Sequence, residues 1–513
     1  MADYKTPGVY VVEDDAFSNS VVQVATAVPA FIGCTEKALR GAESLAGIPT
    51  RISSLSEYHA LFGGPAPLEL NFKAGGDDHA PPYKIDVLPC KRFFFYNSLR
   101  IFFDNGGGLC YIVSVGAFRP CLDSGGMPAM TLAALVDRPL DALLKQSEPT
   151  MIVVPDLVLL SNEDWAGGIA AIIGHCVTLQ SRIGIFDVRN GDVERDDRGD
   201  VIENFRAKVG AAGDQLNYGV AYYPWLNTNI VDAGDMHVGL LDKDSRGALF
   251  KYLKDEVVKQ FPDENGEVSV KAAALNHQLD QMLGVDPATA DGMASIRSAH
   301  ALLKTKLTVY EAVLAAMLKA ANLLPPSGAM AGVYTRTDNN EGVFKAPANT
   351  PIFSALSPTV EISHDAQEEL NVPLDGKAIN AIRSLPGRGM LVWGARTLDG
   401  NSQDWRFINV RRTTIMLEQS IKWALQTYRF AANNAQTWAA VNSMIVNFLT
   451  QQWKEGALQG ASAPQAFSVD VGLGSTMDGD DILGGTMRVM VKVALVHPAE
   501  FIVLTFVQHM ATA

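Results

Sequence analysis

A chain of 513 residues has room for about three domains at ~150 residues each, which excludes a single small module. With 48% hydrophobic and 19% charged residues it can fill large packed cores, so general disorder is excluded too. Its 42 Lys and Arg against 56 Asp and Glu give a net charge of −14, and with no dense basic run in the chain, nucleic acid is excluded as a partner. The five cysteines, Cys34, Cys90, Cys110, Cys121 and Cys176, are irregularly spaced with no CxxC pair and read as thiols. The opening, Met1 to Pro7, has neither a basic nor an apolar stretch, so synthesis in a cytoplasm without a signal peptide is expected. The apolar runs at 151–160 and 501–507 are too short to span a bilayer, so no membrane insertion is expected.

In chain order, Pro7-Gly8 is followed by Val9, Tyr10, Val11 and Val12, a β-forming run within ten residues of the start. A second strand is expected over 21–27, then Ala30-Phe31-Ile32-Gly33, then a helix over 53–62 that stops at Gly63-Gly64. Residues 65–92 carry five prolines and a Gly-Gly-Asp-Asp turn, which predicts a surface insertion.

From 93 the chain alternates. A helix over 93–103 stops at Asn105-Gly106-Gly107-Gly108 and leads to a strand over 109–115. Helices over 131–144, 165–179 and 201–212 then alternate with strands over 150–155, 183–188 and 218–223, which predicts a mostly parallel sheet covered by helices on both faces. Periodicity weakens over 227–297, expected to be a decorating segment, and one long helix over 301–324 ends at Pro325-Pro326. The composition shifts near 350. Strands at 393–396 and 405–410, helices over 413–430 and 435–454, and two final strands over 487–496 and 501–507 are expected there.

The chemistry is sparse. There is no GxxxxGK[ST], HExxH, GxSxG or CxxC, so no catalytic residue, cofactor site or metal site is assigned. His175 beside Cys176 lies in an apolar helix and reads as a core histidine before a Cys–His nucleophile. Asp156 follows a strand end, where α/β proteins bind ligands, but a strand-end aspartate more often caps the following loop or helix, which is the reading preferred. The charged run 187–200 lacks the ligand spacing of a calcium loop.

Taken together, several segments resemble the contractile tail sheath family of phages and phage-tail-like injection particles. They include Tyr4-Lys5-Thr6-Pro7-Gly8-Val9-Tyr10, Phe102-Phe103-Asp104-Asn105-Gly106-Gly107-Gly108, Glu148 to Asp156, Tyr222-Tyr223-Pro224-Trp225, Pro325 to Tyr334, Val392-Trp393-Gly394-Ala395-Arg396, Asn409-Val410-Arg411-Arg412 and Pro498-Ala499-Glu500-Phe501. Residues 65–92 and parts of 227–297 do not fit that pattern. Ala432-Asn433-Asn434 also stands where the family often has Pro-Asn.

The resemblance implies a subtilisin-like, non-catalytic α/β centre and an α+β C-terminal domain with strand arms at both chain termini. The expected division is an arm at 1–24, a β/α segment at 25–92, the central domain at 93–349 and a C-terminal domain at 350–513. It also implies a structural, non-enzymatic subunit made in a bacterial cytoplasm that stacks in hexameric rings as a helical lattice around an inner tube protein. Baseplate and terminal cap proteins would be partners, with room for sheath paralogues and for release outside the cell.

Val9, Tyr10, Val11 and Val12 at one end, and Val489, Val491, Val493, Phe501 and Val503 at the other, would reach into neighbouring subunits. Arg411 and Arg412, an adjacent basic pair in an acidic chain, are candidates for contact with the tube, the alternative being ion pairs with Glu418 or other acids of the same domain. A non-contractile tail protein or an α/β hydrolase are the competing readings. The hydrolase is disfavoured because the chain has no Gly-Thr-Ser and no His-Gly pair to complete a subtilisin triad.

Overall fold

A computed structural model describes residues 20–75, 82–118, 130–195, 199–209, 213–262, 269–283, 285–287 and 289–501. The candidate arm residues Val9 to Val12 and Val503 lie outside them. The chain divides into two compact units. One is Ala25–Arg412, and the other joins the start of the chain, up to Val24, with the stretch from Thr413 onward.

The first unit is built on a nine-stranded sheet. Its strands in chain order are β1 (Pro29–Thr35), β2 (Thr50–Ile52), β3 (Cys110–Ala117), β4 (Met151–Val153), β5 (Ile183–Asp187), β6 (Gly219–Tyr223), β7 (Thr350–Pro351), β8 (Asn380–Leu385) and β9 (Gly389–Val392), and they lie side by side as β7-β9-β8-β6-β5-β4-β1-β3-β2. From β3 to β8 every neighbouring pair is parallel, in keeping with the buried, β-branched strands the sequence alternates with helices. The margins are antiparallel, β2 on β3 at one side and β9 on β8 and β7 at the other, so the sheet is mixed.

Strands expected at 393–396 and 405–410 are instead reduced to a single bridge between Arg396 and Phe407. The real hairpin lies just before them, where Gly387 and Gly389 take positive φ in the turn joining β8 to β9. The span 21–27 forms no strand.

Two helices on the sheet pack unusually close. Helix α1 (Phe95–Asp104) lies over β1, with Phe31 edge-on to Phe95 and Phe102, and a Cβ on Gly33 would fall 2.3 Å from the Phe95 ring. Helix α2 (Asn162–Leu179) starts at Ser161, whose hydroxyl accepts from the Asp164 amide. Helix α3 (Ser327–Glu341) crosses α1 through Gly328 and Gly332, where added Cβ atoms would lie 2.4 Å from the Ser98 carbonyl and 2.5 Å from the Phe102 carbonyl. Both positions therefore have to be glycine for the backbones to meet.

Segments 65–92 and 227–324 fold together within this unit. The hairpin Leu70–Ala74 and Tyr83–Val87 covers the helices Lys243–Gln260, Val270–Leu283, Ala290–Lys306 and Thr308–Ala321, and Phe72, Ile85, Leu249, Leu253, Leu279, Ile296 and Tyr310 share one buried core. The single helix expected over 301–324 is broken at Leu307, which leaves the helical region with φ −123°. Cys34, Cys110 and Cys176 are buried thiols, but Cys90 is disulfide-bonded, against the reading of all five as thiols, because spacing along a chain does not say which side chains meet.

In the second unit, helix α4 (Ile408–Leu425), which begins five residues before the expected 413, runs in from the first unit, and α5 (Ala435–Lys454) follows it. Asn434 caps α5 by accepting from the Thr437 amide. Gln23 and Val24 are tied to these helices: the Val24 amide donates to Ser420 Oγ at 3.0 Å, and Gln452 Nε2 donates to Gln23 Oε1 at 3.2 Å. Strands β10 (Phe467–Val471) and β11 (Val489–Val493) close the unit as an antiparallel hairpin.

Candidate assembly surfaces

At the carboxyl ends of the parallel strands, where an α/β enzyme would keep its site, the carboxylates of Asp156 and Asp187 bind helix starts, although Asp156 Oδ2 is buried with no hydrogen-bond partner among the described residues. Asp156, three residues past β4, is buried, and its Oδ1 accepts from the Phe94 amide at 2.6 Å at the start of α1. Asp187, at the end of β5, accepts from the Ser327 amide at 2.7 Å and the Ser327 hydroxyl at 2.5 Å at the start of α3. Neither helix has a capping side chain of its own, so these aspartates supply caps from across the sheet. Burial pushes both carboxyls up to about 7, against the lowering effect of the amides. Among the described residues no histidine hydrogen-bonds to Asp187 or Ser327.

The other chemical candidates are similarly closed. Burial and the neighbouring Arg182 hold His175 down to about 4, and burial pushes the Cys176 thiol up to about 12, so the two do not form a thiolate–imidazolium pair at neutral pH. Arg182 is itself buried and donates to the Leu143 and Gln146 carbonyls. In the charged run near 187–200, Arg195 bridges Asp200 and Glu369, each at 2.5 Å, and Arg206 reaches the same Glu369 at 2.9 Å, which makes the segment an ion-pair lattice between loop and helix. Among the described residues no group of His, Cys, Asp or Glu is arranged to hold a metal ion.

Arg411 and Arg412 are both 5% exposed. Arg411 lies between the rings of Tyr218 and Trp405, 4.4 and 4.6 Å from their centres, and donates to the Tyr218 hydroxyl at 3.0 Å. Arg412 makes a two-point pair with Asp338, at 2.8 and 2.6 Å, donates to the Thr26 carbonyl and sits over the Tyr334 ring. These contacts join α4, α3 and the chain just before β1 within the first unit.

The second unit carries an open-edged hairpin and several exposed apolar side chains. The hairpin pairs Phe467 with Val493, Val469 with Val491 and Val471 with Val489, which places one row of apolar side chains on one face. Asn442 of α5 donates to the Val469 carbonyl, fixing the hairpin to that helix. The sheet has only two strands, so each strand keeps an edge with no strand beside it among the described residues. Val489, Val491 and Val493 thus belong to an intrachain hairpin. Exposed Met490, Leu473, Leu483 and Phe501 are large apolar side chains of the same unit, as is Phe430, which is fully exposed. Strand β10 was missed in the sequence, although Phe467-Ser468-Val469-Asp470-Val471 alternates apolar and polar residues with period two.

The family profile of the phage tail sheath C-terminal domain matches residues 401–509, which contain α4, α5 and the hairpin. The solved helical sheath of the anti-feeding prophage (AFP), in its contracted state, is 27% identical, with 99% of this chain and 100% of that one covered and a TM-score of 0.57. Residues 401–509 thus match a phage tail sheath C-terminal domain, and the chain as a whole is similar to contractile sheath proteins. The chain is also similar to a chain of the AFP baseplate, at 27% identity, coverage of 99% and 100% and a TM-score of 0.56. It shares its fold with a chain of the PVC sheath complex of an extracellular contractile injection system, at 23% identity, 99% coverage of both and a TM-score of 0.58. A sequence search of curated proteins finds no match to the chain.

Proposed function

We propose that this chain polymerises with itself in stacked hexameric rings around an inner tube, is seeded by a baseplate and closed by a cap, and contracts from a strained extended lattice to drive the tube through a target envelope. The observation that carries this reading is the likeness to the AFP helical sheath over the whole chain at 27% identity.

The β10–β11 hairpin supplies the joint. An isolated two-stranded ribbon is marginal in water, and its open edges offer unpaired amides and carbonyls to strands from neighbours. The arm containing Val9, Tyr10, Val11 and Val12, and the end of the chain containing Phe501 and Val503, are the donated strands. Val489, Val491 and Val493 act as the receiving side. Four to six hydrogen bonds at about 1 kcal/mol each link one subunit to the next by several kcal/mol, enough to hold while the rigid bodies turn.

Contraction then draws on new contacts in the lattice and needs no nucleotide. The central sheet acts as a subtilisin-like scaffold without its catalytic groups, and the subunit has no enzymatic role. Residues 1–24 serve as the arm, 25–92 and 93–349 as the outer body with its insertions, and 350–513 as the tube-side domain. Arg411 and Arg412 support the tube-facing side by holding the first turn of α4. The protein resides in a particle released from the cell that makes it.

Deleting residues 1–13 tests the joint. The expected product is a folded, soluble subunit that forms no sheath by electron microscopy, and sheaths of normal length from the truncated chain would refute it.

A further inference from the structure

Between α1 and the helical insertion of the first unit lies a cavity of about 370 Å³. Its outer wall, Pro65 to Leu68 with Val231, Met236 and Leu240, comes from the two segments that the sequence left without a role. Its inner wall is one face of α1, where Tyr96 and Arg100 stand four residues apart, and Lys91 and Arg92 line the approach to that helix. A cavity of this size accommodates a small organic molecule.

The charges on these walls are uneven. Lys91 has a partner, Glu69 at 3.6 Å. Arg92 and Arg100 are half-buried, and their guanidinium groups form no hydrogen bond or ion pair with any described residue, in a chain whose net charge is −14. Asp192 is near enough to Arg92 to be favoured by its charge but makes no ion pair with it, and Asp235 at the rim is exposed. The Tyr96 hydroxyl is already engaged by His59 Nε2 at 2.8 Å, so the polar side chains left for a ligand on this wall are the two guanidinium groups and the Asn97 amide. Phe93, Phe94 and Met236 offer apolar surface beside them.

We infer that this cavity binds a small organic anion, a carboxylate or phosphate group on an apolar body, with the oxyanion held by Arg92 and Arg100 and the body against Phe93, Phe94 and Met236. Guanidinium groups match the geometry of both oxyanions, while the apolar lining excludes a simple hydrated ion.

The test is calorimetric titration of the full chain with phenyl phosphate, benzoate and inorganic phosphate. At least one organic anion should bind at least about tenfold tighter than inorganic phosphate, and the stronger of the two names the head group. Arg92→Gln and Arg100→Gln should each weaken that binding about tenfold or more, with Arg100→Lys intermediate. Ala66→Trp, which narrows the mouth and leaves both arginines in place, should abolish binding, and it decides the matter if the glutamine variants fail to fold. Binding that survives these substitutions, inorganic phosphate binding as tightly as the organic anions, or no binding of any probe overturns the inference.

Discussion

Replacing Arg412 with methionine, similar in length but uncharged, isolates the Asp338 carboxylate at a place where its side chain is 4% exposed. The change removes two charge-assisted hydrogen bonds of 2.8 and 2.6 Å, a third to the Thr26 carbonyl at 3.0 Å, and the stack on Tyr334. Only the Thr26 hydroxyl, at 2.5 Å, would still serve the carboxylate. Removing one member of a buried pair costs about 3–5 kcal/mol, because the remaining charge has lost its partner without regaining water. The double change Arg412→Met with Asp338→Leu should recover a good part of that loss, since no buried charge remains. Urea unfolding of the unassembled subunit reads both values from the shift in midpoint. The opposite pattern, a loss below about 1 kcal/mol together with selective failure to assemble on tubes, would refute the structural role and return Arg412 to the tube interface.

Burial raises Asp156 and Asp187 from the ordinary 3.8 to about 7, so between these values the unfolded chain releases protons that the folded subunit keeps. Stability should therefore be greatest below pH 4, as far as these two groups decide it, fall as pH rises to about 7, and level off above. The upper limit is about 4 kcal/mol per group, and Asp156→Asn should flatten its share in urea titrations across pH 4–8. Gly328→Ala should cost about 1–3 kcal/mol by forcing α3 away from the Ser98 backbone, read by thermal melting, and an unchanged melting point would contradict the close crossing. Val491→Lys, on the half-buried face of the hairpin, should leave the subunit folded by circular dichroism yet unable to form sheath in the electron microscope.

The alternating helices and strands between Phe93 and Tyr223 were legible because buried parallel strands and amphipathic helices have different hydrophobic periods, and Asn105 to Gly108 marks the stop between two of them. The Val201 helix, expected to 212, ends at Lys208, because residues at a helix end make few of the contacts that create the period. The margins of the sheet were not legible. β7 has two residues, β9 has four, and what places them is pairing with β8, a contact distant in sequence. The union of 65–92 with 227–324 was hidden for the same reason, since Phe72 and Tyr310 share a core but no local pattern.

Among the site residues, the adjacent pair Arg411-Arg412 stood out in an acidic chain, but sequence shows charge and not burial. Tyr218, Trp405 and Asp338, which enclose the two arginines, lie far from them in the chain or carry no signal of their own. The caps from Asp156 and Asp187 were half visible: a strand-end aspartate is a sensible capping group, yet only the fold shows that each serves a helix from another part of the chain.

The most direct test of the central claim is cryo-electron microscopy of this chain coexpressed with its tube and baseplate proteins, imaged before and after contraction is triggered. The account predicts two helical lattices of different pitch around or beside the tube, with the fold of 25–412 unchanged between them and an additional strand on the β10–β11 hairpin in both. A single lattice that never shortens, or a polymer whose hairpins carry no strand from a neighbour, would contradict it.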